Sequence, residues 1–582
     1  MRTTRLLLPT ATAVLVTGLL VAAPAHAAPD DRAGGPRTNL APTRVDLGTL
    51  GGATSSVSAV SGTVVVGSAE KASGRSHAFA YDLAASRPHM IDLGTLGGAT
   101  SSAGAVTGSI VVGTSETGGD YSHAFAYDLA ADRPHMVDLG SIRGHSVPTL
   151  VDGSVVVGEF GVPGADRDGA FAYDLAADDP HMIDLGSLGG QDTHARALDG
   201  SVVVGFSEAA NGTWHAFAYD LAADDPHMID LGNLGGASDL ADAVDVDGSI
   251  VVGYAGAPSG NQQHAFAYDL SADQPHMTDL GTLEGGPDSS ASAIHGTVVT
   301  GMARTAAGDF RAFSYDLAAA DPVMRGLGAD GVDTFITDAE AGVVVGDETN
   351  YRMDFKHKKN RAVAFDLADG GRRIDLGTVP GGESSAVATS GVDGDLVLGY
   401  WNDTLDQRGN PRNRHPFVYD LSADRPRLVD IDTYDSGAEV VGLDGTVAVG
   451  TTQHRQGRRA TAWILRRTTR PVIAFRSLDQ VVEEGARRAT VKVTRYGRTD
   501  RAVTVRYRTQ NGVARAGQDF RATSGTLRFG RGVTTRTITV RILDDRRREP
   551  EEGLLLRLSS PGGGALLGTP DFAHLRIQPS DR

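Results

Sequence analysis

Val64-Val65-Val66-Gly67, then His77-Ala78-Phe79-Ala80-Tyr81-Asp82-Leu83, then Met90-Ile91-Asp92-Leu93-Gly94: the stretch 64–94 decides the fold. Each run has four to seven residues and is bounded by Gly, Pro, Ser or Asp. Runs of that length with β-branched and aromatic residues are strands. A small-residue run before them, clearest as Ser101-Ser102-Ala103-Gly104-Ala105-Val106 in the next copy, supplies a fourth strand. On the third strand Phe79 and Tyr81 share one face while Ala78 and Ala80 share the other. A sheet that is large on one side and small on the other can pack against a copy of itself.

Working outward, the copies are there. Asp-Leu-Gly recurs at Asp46, Asp92, Asp138, Asp184 and Asp230, each step 46 residues, and then more loosely at Asp279, Asp375 and, as Asp-Ile-Asp, at Asp430. Gly326-Leu327-Gly328 fills the remaining gap, which makes the seventh unit the weakest copy. A Gly precedes every second strand, from Gly62 to Gly445, and several are Asp-Gly, as in Asp152-Gly153. This predicts a tight hairpin of type I′ between strands one and two. A second Gly closes strand two in every unit, from Gly67 to Gly450, and predicts a bulge or a close backbone approach. Four antiparallel strands per 46 residues is the size of a propeller blade.

The ends of the array argue for a ring. The first unit begins with a lone fourth strand at Val45-Asp46-Leu47-Gly48, and the last supplies only strands one to three, ending near Ala460–Leu465. Each end completes the other's sheet, which removes the exposed edges that an open solenoid would have to cap. The predicted fold is therefore all-β: a propeller of about nine four-stranded blades closed by an N-terminal strand, over residues 44–468.

The flanking segments differ. Arg2 and Arg5, the apolar run Leu6–Ala23 and the small-residue site Ala25-His26-Ala27 read as a signal peptide, residues 1–27, followed by a linker over 28–43. No later run is long enough to span a membrane. Secretion follows, and a chain without Cys fits a bacterial exterior better than an oxidising eukaryotic lumen. Zero Cys also excludes disulfides, thiolate metal sites and a cysteine nucleophile. The net charge of −18 disfavours nucleic acid, but it hides a split. Residues 471–582 hold twenty Arg and one Lys against seven Asp and five Glu, a net +9, which leaves −27 for the rest. In that last segment, 469–582, strands such as Thr490–Thr494 and Thr537–Ile542 alternate polar and apolar and belong to a sandwich.

Two resemblances accompany this reading. The His-Ala-Phe phrase, preceded by Val-Val-Gly and followed by Asp-Leu-Gly-Thr-Leu-Gly-Gly, resembles the HAF-repeat family of extracellular proteins over about 44–468; it implies export and a repeat scaffold, and no activity. The tail resembles a Calx-beta domain, through Glu484-Gly485, Thr494-Arg495-x-Gly497, Gly517-Gln518-Asp519-Phe520, Ser524-Gly525-Thr526-Leu527-x-Phe529, Asp544-Asp545 and Glu549-x-x-Glu552. That resemblance implies an immunoglobulin-like sandwich binding calcium at one end, with Glu484, Asp519, Asp544, Asp545, Glu549 and Glu552 as candidate ligands. Carboxylate oxygens suit calcium. The chain departs from the family at its end, Ile577-Gln578-Pro579-Ser580-Asp581, which lacks an Asp-rich run. Arg546, Arg547 and Arg548 also follow the Asp pair, so a salt-bridge cluster is the competing reading.

No catalytic motif is present: no Gly-x-Ser-x-Gly, His-Glu-x-x-His, P-loop or dinucleotide fingerprint. The His and Asp that recur along the array read as scaffold, because one reaction needs one set of roles and a site should break the repeat. Asp242–Gly248 glances at a calcium loop but fails the EF-hand spacing. Insertions at Lys356–Arg361 and Asn402–Arg414 break the pattern more openly. The sequence thus predicts a secreted, non-enzymatic surface or matrix protein. Its partner would be an extracellular protein or an anionic cell-wall polysaccharide. A glycan-active propeller enzyme is the alternative. It would show paired carboxylates breaking the repeat near the central channel, with aromatic platforms.

Overall fold

The structure is a computed structural model that describes residues 39–579, apart from short segments at 162–167, 237–239, 258–261, 341, 350–360, 378–386, 406–410, 424–425, 433–437, 455–456, 477–478, 545–550 and 569–570. The predicted signal peptide, most of the linker and most of the 356–361 insertion lie outside the described residues, as do the side chains of 402–414.

Nine four-stranded antiparallel sheets succeed one another, followed by two five-stranded sheets, with no α-helix among the described residues. Blade 1 is Gly51–Ser61, Val64–Lys71, Ser76–Asp82 and Ile91–Gly94. Blades 2 to 8 repeat that order, starting at Gly97, His145, Gly189, Ala241, Ser289, Asp333 and Val387. Blade 9 combines Glu439–Asp444, Val447–His454 and Gly457–Thr468 with the N-terminal strand Asn39–Gly48, which pairs antiparallel to Gly457–Thr468 with Val45 opposite Ala462. The clasp begins at Asn39, a few residues before the lone strand read from sequence.

Packing between blades follows the large-and-small faces. Phe79 of blade 1 sits against Ala460 and Ala462 of blade 9, and Phe125 of blade 2 sits against Ala78 and Ala80 of blade 1. Burying each Phe is worth roughly 1.5–3 kcal/mol. Contact between blades 9 and 1 closes the ring.

Two glycine readings have different outcomes. The strand-two Gly meets both expectations: a Cβ on Gly67 would lie 2.0 Å from the Ser56 carbonyl oxygen, and the ladder slips between Val57 and Ala59 opposite it. The hairpin turn is corrected. Ser61 pairs with Val64 and Asp152 with Val155, so the two central residues are Gly-Thr or Gly-Ser, not Asp-Gly. Gly62 and Gly153 have φ of 55° and 53°, while the residue after each is not in the positive-φ region. Gly at the first central position alone is the type II′ arrangement. The Asp therefore belongs to the strand end, where its carboxylate is free for other work. Only blade 7 places its Gly, Gly342, second in the turn.

The last blade runs almost directly into a sandwich. One sheet orders Phe520–Arg521, Thr535–Ile542, Arg488–Tyr496, Val472–Phe475 and Leu566–Leu567; the other orders Asp479–Glu483, Phe572–Gln578, Glu552–Gly562, Val503–Asn511 and Ser524–Phe529. It rests on blade 8. Phe572 joins the cluster of Val392 and Tyr419, and the Arg427 guanidinium lies 3.6 Å from the centre of the Tyr496 ring.

Candidate functional site: recurring polar pins and an acidic end of the sandwich

The repeated polar residues build the blades. His77 Nδ1 lies 2.8 Å from Asp92 Oδ1, and the pairs His123–Asp138, His215–Asp230 and His264–Asp279 repeat this at 2.9–3.0 Å. The same Asp oxygen accepts the N–H of the Gly two residues on, at 2.7–2.9 Å in these four blades. So the Asp of Asp-Leu-Gly fixes the turn that leaves strand four and ties it to strand three. Desolvation pushes the Asp92 carboxyl up, but Lys71, His77 and the Gly94 N–H outweigh it and hold it below its ordinary value.

Two further pins join one blade to the next. Buried Ser101 of blade 2 accepts the Ala78 N–H at 2.8 Å and donates to the Gly94 carbonyl at 2.5 Å, both in blade 1. Ser146, Ser289 and, across the ring closure, Ser55 do the same. Second, the carboxylates displaced from the hairpin centres accept the turn N–H of the following blade: Asp152 from Gly200 at 2.8 Å, Asp199 from Gly248 at 2.6 Å, Asp247 from Gly296 at 2.6 Å and Asp444 from Gly62 at 2.9 Å. Sequence reasoning assigned neither. The register of Ser in strand one and of Asp before the turn Gly was the available signal, but only the ring brings the partners together.

In the sandwich, the chain pairing sets Glu484, Asp519, Asp544 and Glu552 at one end. Glu484 opens a short 3-10 turn after Asp479–Glu483 and is buried. The Arg487 carbonyl of that turn accepts the Ile542 N–H, and the Leu543 N–H donates to the Asp519 carbonyl, so Asp519 and Asp544 flank the same edge. Glu552 opens a strand opposite Ile577, which in turn pairs with Val482. Asp519 is already engaged, accepting the Arg515 N–H at 2.6 Å. Asp545 and Glu549 lie outside the described residues. The donors are the hard oxygens calcium takes, yet among the described residues no group of three or more acids or His is close enough to hold an ion. Arg506, Arg508, Arg528 and Arg541 are all exposed. Arg495, part of the quoted motif, is instead buried, and its guanidinium donates to the Arg498 and Gly530 carbonyls.

The repeat also breaks in blades 3 to 5, where Glu159, His194, Arg196, Asp242 and Tyr254 stand where blades 1 and 2 carry Ser, Thr or Gly. The sequence reading had looked for breaks in insertions and passed over these single substitutions.

Comparison with known proteins bears on the tail. The Calx-beta domain model matches residues 467–581. The sodium/calcium exchanger Calx of Drosophila melanogaster is 35% identical over 91 residues, 16% of this chain and 10% of the exchanger, so the chain spans only a tenth of that relative's length. The apo-form Calx CBD1 domain is 32% identical, covering 19% of this chain and 98% of that one, with a TM-score of 0.19. Over the blades, a post-proline cleaving enzyme from Rickettsia typhi is 9% identical across 60% of this chain and 57% of its own (TM-score 0.35). The β-propeller domain of the trilobed protease from Pyrococcus furiosus is 10% identical across 55% and 95% (TM-score 0.33). The chain thus joins an all-β array of four-stranded propeller blades to a Calx-beta domain at residues 467–581.

Proposed function

We propose that this is a secreted, non-enzymatic surface or matrix protein. Its propeller, of the HAF-repeat type, serves as a rigid recognition scaffold, and its Calx-beta domain is a calcium-responsive attachment module. The observation that carries the reading is the Calx-beta match over 467–581 together with the gathering of Glu484, Asp519, Asp544 and Glu552 at one end of that sandwich. The relative's name, a sodium/calcium exchanger, supports calcium as the cation. The exposed Arg face suits an anionic wall polymer, which the acidic propeller would repel.

Calcium would join the strand ends that carry these acids. Glu484 and Asp519 supply carboxylates from two different loops, so a bound ion would fix those loops relative to each other. Calorimetry of the whole chain in rising calcium tests this. A ligand that binds only the folded state raises its melting temperature, by the equivalent of about 2.7 kcal/mol at a hundredfold excess over Kd. The expected result is an upward shift confined to the sandwich transition. No shift at millimolar calcium overturns the module, and turnover of any oligosaccharide in a glycan panel overturns the non-enzymatic reading.

A further inference from the structure

In blade 1 the residue after the buried Ser, Ser56, faces Ser68 across the sheet, and their hydroxyls satisfy each other at 3.1 Å. Blade 4 carries His194 and Phe206 at the same paired positions, and blade 5 carries Asp242 and Tyr254. These lie on first and second strands, the part of each blade beside its neighbours' inner hairpins. The substitutions interlock. His194 Nδ1 reaches back to Glu159 of blade 3 at 2.9 Å and stacks on Phe206 at 4.9 Å between ring centres. Trp214 meets the same Phe206 edge-on at 5.2 Å. Arg196 lies over that ring at 4.8 Å and reaches forward to Asp242 Oδ2 of blade 5 at 3.3 Å, where the Tyr254 hydroxyl also donates at 3.2 Å.

Asp242 is the anomaly. Its side chain is 4% exposed, while its partner Arg196 is 50% exposed. The bonds from Arg196 and Tyr254 both go to Oδ2, and Oδ1 is buried with no partner. A buried carboxylate oxygen left unmatched is costly, and native proteins rarely tolerate one without a reason. Burial accordingly pushes the Asp242 carboxyl above its ordinary value despite Arg196. An unmatched acceptor set among half-exposed planar rings and an exposed guanidinium is matched by a ligand with hydroxyl donors and an apolar face. Arg196 stands against a metal cation. The charges pair off as Glu159 with His194 and Asp242 with Arg196, and the −27 carried outside the tail repels a polyanion.

We propose that blades 3 to 5 form a binding site for an uncharged saccharide, with Asp242 and Arg196 holding its hydroxyls and Trp214 and Tyr254 bordering its ring face. This rests on the reading of the propeller as a recognition scaffold and names its ligand class. The test is titration of the whole chain with neutral cello-, malto-, xylo- and chito-oligosaccharides and with anionic oligogalacturonate, followed by calorimetry and tryptophan fluorescence. At least one neutral probe should bind saturably. Arg196→Ala, a half-exposed position, and Trp214→Ala should each weaken it by about tenfold or more, the loss of one good contact, with melting temperatures close to wild type. Asp242→Asn, which keeps the shape but alters the acceptor, should weaken it likewise. Binding of no neutral probe, equal binding by the variants, or variant-sensitive binding of oligogalacturonate alone overturns the site. Should the oligosaccharides fail while wild type and Arg196→Ala stay equally attached to wall material, the site falls and the scaffold reading stands. Binding to a neutral probe without attachment to wall material keeps the site and overturns attachment to wall polymer.

Discussion

The propeller and the sandwich hold themselves together in different ways. In the sandwich, twenty-one buried side chains, from Ile473 to Ile577, form one continuous core between two sheets. The blades share no such core. Among the described residues, the buried side chains of the blades fall into nine smaller clusters, most of them between one blade and the next. Between the clusters run polar pins, Ser to backbone and Asp to turn N–H, that repeat around the ring. Each unit leans on its neighbours, so ring closure through Asn39–Gly48 carries a weight that no single sandwich strand carries. The charge split follows the same division: the hairpin carboxylates that link blades add to the ring's acidity, and the sandwich shows Arg on its outward faces.

The sharpest way to break this comparison is to cut each core. Trp463, fully buried in blade 9 beside Leu40 of the clasp, and Phe520, fully buried in the sandwich, should each cost about 3–5 kcal/mol on truncation to Ala. Calorimetry should show Trp463→Ala lowering only the propeller transition and Phe520→Ala only the sandwich transition. Movement of both transitions together would mean that the contact through Phe572 and Arg427 makes them one cooperative unit. A smaller effect comes from the pins. Ser101→Ala strands the Ala78 N–H and the Gly94 carbonyl, and should lower the propeller midpoint in denaturant by about 1–3 kcal/mol.

The ring should also respond to pH. The hydrogen bond that His194 donates to Glu159 raises the His194 pKa above its ordinary 6.5, against opposing desolvation. A raised histidine stabilises the fold fully below the unfolded value, and that contribution fades as pH rises through the folded value. Denaturation midpoints of the propeller should therefore fall as pH rises from about 6.5, and Glu159→Gln should flatten that slope; an unchanged slope in the variant would assign it to other groups. The smallest effect is expected from Asp152→Ala, which removes one exposed bond to the Gly200 N–H and should cost about 0.5–1 kcal/mol by the same measurement.

Much of the propeller was legible because its repeat prints every rule many times. Phe79 beside Ala78, the Gly in each turn and the half-blades at Val45 and Ala460 were enough to expect strands, hairpins and a clasp. The turn type was misjudged because Asp-Gly was taken as a pair of central residues, whereas pairing of Asp152 with Val155 sets the Asp one position outside. The acids of the tail were named from a motif. Their gathering at one end depends on which strand pairs with which, and the parallel pairing of Val482 with Ile577 is not written in either segment.

The sequence by itself determined period, strand content, the large-and-small faces and the break to a basic sandwich, since each is a local pattern of side-chain size and charge. Tertiary structure alone decided which residues meet across blades. His194 and Asp242 are 48 residues apart and look like unrelated substitutions until ring geometry sets neighbouring first strands side by side. There Arg196 spans the gap, and one oxygen of a buried carboxylate is left without a partner.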